Sequence, residues 1–152
     1  MRRTATIGTL GVIAALALAL AASGSGEPAK GAEVIRATGE ITSQEFVDSP
    51  PGGESAGDLL VFTEPLFRSG RRIGEITGSC TMITPPARFQ CRAIAKLRRG
   101  SLVVAANVDE ASEGRSTGAI TGGTGRFRRA RGTVTVEPIA EGRERITYRV
   151  FD

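Results

Sequence analysis

Two side chains in this sequence of 152 residues are candidates for acid–base chemistry, Glu64 and Tyr148. Each lies in a segment where apolar residues alternate, so each is predicted to share a face with its apolar neighbours. A carboxyl group in an apolar cavity has a raised pKa, and Glu64 could then exchange a proton or anchor a polar ligand group. The alternatives are a Glu64 that sits in water or pairs with an arginine, and a Tyr148 that belongs to the core with its hydroxyl at the rim.

The composition excludes several other kinds of catalysis. Histidine is absent, which removes Ser-His and Cys-His mechanisms and the commonest metal ligand. Two cysteines alone do not make a structural zinc site. The glycine-rich stretch 119–136, "AITGGTGRFRRARGTVTV", has no lysine after its glycines, and Arg128 stands where a dinucleotide fingerprint needs its third glycine. We therefore expect no cofactor and no metal.

The first 32 residues are predicted to lie outside the folded domain. Arg2 and Arg3 precede an uncharged apolar run over 7–20, and "ALA" stands at the end of that run, at 19–21. This pattern predicts a signal peptide over 1–21 and therefore a secreted, extracellular protein; a membrane anchor is the alternative. Residues 22–32 are predicted to be a flexible linker and 33–152 the folded domain. No stable membrane insertion is expected after cleavage.

Charge is divided unevenly along the chain. Residues 27–67 contain eight acids and two bases, whereas residues 68–152 contain eight acids and sixteen bases. A basic half can meet nucleic acid or an anionic surface; the alternative is a biased composition on a solvated face. Phe127 is the one aromatic residue available for stacking in the arginine-rich stretch 119–136, so no nucleic-acid partner is expected.

The elements that would position Glu64 and Tyr148 are strands. Short alternating runs separated by glycine or proline predict an all-β domain. The eight predicted strands are 33–42, 58–66, 72–83, 88–97, 101–108, 116–121, 132–137 and 144–151. The segment 43–57, which contains "DSPPGGESAGD", is predicted to be a long mobile loop.

One register aligns the apolar positions of two successive hairpins. If Cys80 lies opposite Cys91, then Met82 faces Phe89 and all paired apolar residues fall on one face. A second turn at residues 99–100 would place Leu97 opposite Leu102. The side chains predicted to line the interior are Leu60, Phe62, Leu66, Ile76, Met82, Phe89, Val104 and Val134.

The same register brings two sulfur atoms together. In an exported protein it predicts a Cys80–Cys91 disulfide, and a redox-active pair is the alternative. The spacing is not CxxC, so no signal for a lowered thiol pKa is present.

The stretch 119–136 is best explained as a corner of a β-fold. Gly122, Gly123 and Gly125 permit positive φ angles, and Phe127 and Ala130 can plug the end of a barrel within one helical turn. Eight strands that each have one apolar face can close into a barrel without exposed edges. A two-sheet sandwich is the alternative.

Three segments resemble a known family. "GDLLVFTEPLF" (57–67), "IGEITGSCTMI" (73–83) and the 119–136 stretch occur in the order and spacing of the allene oxide cyclase barrel. The corner is also similar to "GGTGRF…ARG" of plant dirigent proteins. The resemblance implies an eight-stranded antiparallel barrel, often trimeric, with a lumen for an apolar ligand. Such cyclases isomerise an unstable fatty-acid epoxide into a cyclopentenone, and dirigents steer phenoxy-radical coupling.

The resemblance carries over to few site residues. Cys80 matches the lumen cysteine of the cyclases, and Glu64 in "FTE" falls where their water-holding asparagine stands. Their first-strand glutamate, asparagine and Ser-Pro group have no counterparts around residues 34–48. Three functions follow as hypotheses: a barrel that binds an apolar small molecule, an intramolecular cyclase or isomerase in which Glu64 and Tyr148 act, and a structural or interaction protein with a filled barrel.

Overall fold

The computed structural model describes residues 31–50, 52–109 and 114–151. The predicted signal peptide and residues 22–30 of the predicted linker lie outside these ranges. The described strands are β1 (Glu33–Glu40), β2 (Ser43–Val47), β3 (Leu59–Arg68), β4 (Arg71–Thr84), β5 (Arg88–Leu97), β6 (Gly100–Asp109), β7 (Ser116–Gly123), β8 (Arg131–Ala140) and β9 (Arg143–Phe151), with a short 3-10 helix at Gly125–Phe127. No helix within these ranges has the length and apolar character needed to cross a bilayer.

The strands close into an antiparallel barrel. Neighbouring strands are hydrogen-bonded in the order β1-β9-β8-β7-β6-β5-β4-β3-β2, and β1 also pairs with β3. β1 and β2 lie one after the other along the same edge of β3, β1 opposite residues 66–67 and β2 opposite residues 59–63. The two therefore share one strand position, and the predicted eight-stranded barrel is confirmed over the sandwich.

The prediction of a loop over 43–57 is wrong for its first third, because β2 lies there. Every side chain of β2 is exposed, so the segment lacks the alternation of burial by which strands are recognised. After β2, the loop is held by the fully buried carboxylate of Asp58. Its oxygens accept hydrogen bonds from the backbone N–H of Ser49 at 2.9 Å and of Ser55 at 2.7 Å, and these bonds lower the pKa of Asp58.

The β4–β5 register is confirmed residue by residue. Cys80 lies opposite Cys91 and Met82 opposite Phe89. The β5–β6 register differs from the prediction by two residues, because the turn consists of Arg98 and Arg99 and Leu97 faces Gly100 instead of Leu102. A shift of two residues leaves every side chain on its predicted face, so the pattern of burial could not reveal the error.

The corner after β7 plugs one end of the barrel, as predicted. Phe127 and Ala130 are 4% and 1% exposed, and Gly125 has φ 58°, where a Cβ would lie 2.6 Å from the carbonyl oxygen of Arg99. Gly123 does not have the predicted positive φ angle. Glycine is required there for another reason, because a Cβ would collide with the backbone of Ser101.

The two ends of the barrel are therefore different. We call the end formed by the β3–β4 turn, the β5–β6 turn and the corner 124–130 the closed end; β1 begins there and β9 finishes there. The opposite end, where β6 finishes and β9 begins, is the mouth. Between them the interior face is mostly apolar, and three interior side chains of β9, Ile146, Tyr148 and Val150, are at most 3% exposed.

Candidate functional site

A cavity of about 400 Å³ opens at the mouth and extends into the barrel. Most of its wall is apolar, and its polar groups are few. The wall is formed by Ile41, Gln44, Leu60, Phe62, Glu64, Ile76, Cys80, Cys91, Ala93, Val104, Ala106, Val108, Asp109, Gly114, Ser116, Gly118, Val134, Val136, Pro138 and Glu144. Small side chains on β4 to β7, such as Ala93, Ala106 and Gly118, leave the space that larger ones would fill.

The structure brings together part of the predicted interior set. The residues of that set that line the cavity are Leu60, Phe62, Ile76, Val104 and Val134, and the catalytic candidate Glu64 and the two cysteines line it as well. Leu66 lies beyond Glu64 toward the closed end and is fully buried in the core, and Met82 and Phe89 pack with Cys80 in a separate small cluster. Tyr148 is also buried in the core rather than in the cavity wall.

The predicted Cys80–Cys91 disulfide is present, with 3.9 Å between the two Cα atoms. The pair lies directly across β4 and β5, and both residues form part of the cavity wall. Cys80 therefore contributes sulfur surface to the lumen but no thiol. A nucleophilic or redox-active cysteine does not fit this site.

Two carboxyl groups meet inside the barrel, Glu64 from the middle of β3 and Glu144 from the start of β9. Gly39 of β1 lies between them: a Cβ there would be 2.5 Å from Oε2 of Glu64 and 3.5 Å from Cγ of Glu144. Glycine at this position leaves room for both side chains. Glu64 is only 4% exposed, so water does little to stabilise its charge.

The surroundings favour a protonated Glu64. Burial, then the charge of Glu144, then a hydrogen bond between the two side chains raise the pKa of Glu64 from 4.5 to about 8. Burial also raises the pKa of Glu144, while the hydrogen bond with Glu64 acts in the opposite direction. This asymmetry is that of a pair sharing one proton, in which the Glu64 carboxyl donates to the Glu144 carboxylate.

Oε2 of Glu64 and the hydroxyl of Tyr148 have no hydrogen-bond partner among the described residues. Burial first, and then the charges of Glu64 and Glu144, raise the pKa of Tyr148, so its phenol is neutral. A buried polar atom without a partner costs free energy. Oε2 of Glu64 is closed off from solvent and lies against Gly39, although Glu64 is one of the residues that line the cavity.

Sequence reasoning missed Glu144. A signal was present, because Glu144 has the same parity as Ile146, Tyr148 and Val150 and therefore points to the interior. No group of three or more metal-ligating side chains occurs in the ranges that the structure covers. The chemistry that this arrangement can perform is proton donation and acceptance by the Glu64–Glu144 pair.

Comparison with known proteins identifies relatives of this barrel. The sequence model of a family described as "Allene oxide cyclase barrel like domain" matches residues 34–151. No curated protein matches the chain in sequence at a significant level.

Solved structures share the fold at low sequence identity. "Pyocyanin demethylase" has a TM-score of 0.69 and 23% identity, over 78% of this chain and 99% of that one. The pterocarpan synthase dirigent protein PsPTS1 has a TM-score of 0.63 and 19% identity, over 82% and 96%. The Diels Alderase AbmU from Streptomyces koyangensis has a TM-score of 0.58 and 18% identity, over 77% and 64%.

Proposed function

The chain belongs to the allene oxide cyclase barrel-like family, and we propose that it binds an apolar small molecule in the lumen. The observation that carries the proposal is the cavity of about 400 Å³, whose mostly apolar wall includes the carboxyl group of Glu64, one oxygen of which has no hydrogen-bond partner among the described residues. Ligand sites of proteins combine such an apolar wall with a few placed polar groups. A structural protein with a filled barrel would not need this space.

The polar group limits the class of ligand. A protonated Glu64 that donates to Glu144 keeps Oε2 as a hydrogen-bond acceptor. This oxygen is buried without a partner among the described residues, and we expect the carboxyl group to turn it toward the cavity when a ligand enters. We expect the ligand to carry a donor, such as a phenolic hydroxyl, an amide N–H or an amine, at the end that enters first. A purely hydrocarbon ligand would leave Oε2 unsatisfied.

Binding is tested with the neutral fluorescent amine N-phenyl-1-naphthylamine. We expect its fluorescence to rise when it binds the native protein and the signal to be lost in Ala106→Phe, which fills the cavity. The matched control is Ala105→Phe on the same strand, because the side chain of residue 105 has the opposite parity and points outward. Equal binding by both variants would show that the dye does not occupy the lumen.

A second candidate function is a cyclase or isomerase, favoured by the carboxyl pair itself. A pKa of about 8 lets Glu64 give its proton to a bound substrate near neutral pH and take one back from another position of the same molecule. Between the two steps both carboxylates are ionised, beside a substrate that carries the transferred proton. The names of the structural neighbours include a demethylase, a pterocarpan synthase and a Diels Alderase. Turnover lost in Glu64→Gln while binding persists would favour the enzyme over the pure binding protein.

We also propose that the protein acts outside the cytoplasm. The predicted signal peptide over 1–21 and the disulfide both suit an oxidising compartment. Native mass spectrometry of protein from culture medium measures the mass of the mature chain, the disulfide, any retained ligand and the number of subunits, three being the number that the resemblance implies. Recovery of the protein only from the cytoplasm would contradict this proposal.

A further inference from the structure

Exposed arginines are concentrated at the closed end of the barrel. The β3–β4 turn contributes Arg68, Arg71 and Arg72, and the β5–β6 turn contributes Arg98 and Arg99. The corner and the start of β8 contribute four more, at positions 126, 128, 129 and 131. Nine arginines thus come from three segments that are far apart in the sequence but belong to one face of the molecule.

Few of these charges are neutralised by neighbours. Within the described ranges, Arg72 pairs with Glu75 at 2.6 Å and Arg126 pairs with Glu33, while Arg68 donates to the carbonyl oxygen of Arg36 at 3.1 Å. The other six, among them Arg71, make no ion pair with an acid of the described residues. Like charges gathered in this way repel one another, which favours an anionic partner.

The arginine-bearing segments are held together by backbone contacts. The N–H of Arg126 donates to the carbonyl oxygen of Arg99 at 2.9 Å, and Gly100 approaches the carbonyl of Thr124 too closely for a Cβ. A surface groove of about 780 Å³ joins the β3–β4 turn to the end of β5. The closed end is therefore one continuous cationic surface.

Apolar side chains accompany these charges. Ile73 and Leu97 line the groove, and Phe151 at the end of β9 is 45% exposed. Arginine together with an exposed aromatic residue is characteristic of surfaces that meet the headgroup region of a bilayer. A single-stranded nucleic acid would need several aromatic platforms for its bases, so these features favour a membrane.

The path of the chain points in the same direction. The described residues begin at Gly31 and enter β1 at the closed end. The apolar run over 7–20 precedes this point in the sequence. Until the predicted signal peptide is cleaved, that run would tether the domain to the membrane by the end at which β1 begins.

From the charge, the exposed phenylalanine and the route of the chain, we propose that the closed end docks peripherally on an anionic phospholipid surface. The arginines contact lipid phosphates, to which their guanidinium groups can bind in a bidentate manner. The mouth then faces the aqueous phase and remains accessible. This inference does not depend on what the lumen binds.

The test is co-sedimentation of the purified protein with vesicles of phosphatidylcholine, with or without phosphatidylglycerol. We expect binding only to the anionic vesicles, and release at high salt because exposed charges are screened. One basic residue near an anionic surface is worth about fivefold in partitioning. The variant Arg71→Ser/Arg98→Ser/Arg128→Ser should therefore bind roughly 100-fold more weakly.

A second triple variant separates position from net charge. Arg88→Ser, Arg92→Ser and Arg143→Ser remove the same charge from the side and the mouth of the barrel, and we expect much less than a tenfold loss. Equal losses in the two variants, or equal binding to zwitterionic vesicles, would overturn the proposal. Tighter binding to soluble polyphosphate than to the anionic vesicles would assign the surface to a soluble polyanion instead.

Discussion

Replacement of Glu64 by glutamine should remove a large pH dependence of stability. The pKa of Glu64 is about 8 in the folded protein and 4.5 as the ordinary value, so the folded state binds more protons than the unfolded chain between these pH values. The free energy of unfolding therefore falls as pH rises through that window. At 1.36 kcal/mol per unit of pKa shift, the loss is about 3 kcal/mol at pH 7 and about 5 kcal/mol above pH 8.

Glutamine has nearly the shape of the protonated carboxyl and cannot ionise. We expect Glu64→Gln to match the native protein near pH 4 and to exceed its stability by about 3 kcal/mol at pH 7. The assay is urea unfolding of both proteins at several pH values between 4 and 8, with ligand-free samples because a ligand bound to the folded state adds stability.

The matched control is Glu141→Gln, in the exposed β8–β9 turn, whose stability profile should remain parallel to that of the native protein. Parallel profiles for Glu64→Gln and the native protein would refute the reasoning, because they would mean that Glu64 has the same pKa in the folded protein as in the unfolded chain. A slope that persists in the variant but disappears in Glu64→Gln/Glu144→Gln would assign the remainder to Glu144.

Three further predictions concern Glu144, Phe127 and the disulfide. Glu144→Gln should lower the pKa of Glu64, because it removes a neighbouring charge, but burial should keep that pKa above its ordinary value; NMR titration of the Glu64 carboxyl carbon measures the change. Phe127→Ala should cost about 3–5 kcal/mol in urea unfolding because it empties the plug of the closed end, and an unchanged midpoint would contradict the role of the plug. Cys80→Ala/Cys91→Ala should cost about 3 kcal/mol, the value that chain entropy gives for a loop of this size, and the loss should disappear when the variant is compared with the reduced native protein.

The sequence predicted the features that depend on the alternation of apolar and polar residues along a strand. It assigned the β4–β5 register, because the two cysteines fall on the apolar face, and it identified Phe127 as the plug. It could not distinguish the β5–β6 register from one shifted by two residues, since both keep the same faces; the turn at Arg98 and Arg99 decides between them. β2 could not be predicted as a strand, because none of its side chains is buried.

The candidate site was only half predicted, for a related reason. Glu64 was recognised because apolar residues flank it on both sides in its alternating series. Glu144 is the first residue of β9 that points to the interior, and the residues before it in the β8–β9 turn are exposed. The alternation along β9 therefore showed which way its side chain points, but not how far it is buried. That Glu144 faces Glu64 depends on the closure of the barrel through β1, where Gly39 leaves the space, and closure is a long-range pairing that local patterns do not encode.

The carboxyl pair is difficult to explain as a device for stability. A buried acid and a half-buried one that share a proton stabilise the fold less than apolar side chains of similar size would, because their desolvation opposes folding. The arginines do not relieve this cost: they are exposed at the closed end, where water screens them, and a layer of core residues including Leu66 lies between them and Glu64. A chain with eighteen arginines thus places none of them among the residues lining the cavity beside its buried carboxylates. Acidic groups that oppose folding, inside a barrel whose other interior side chains stabilise it, are expected where a protein retains them for function. This is the strongest physical reason to search for the activity of this protein at Glu64 and Glu144.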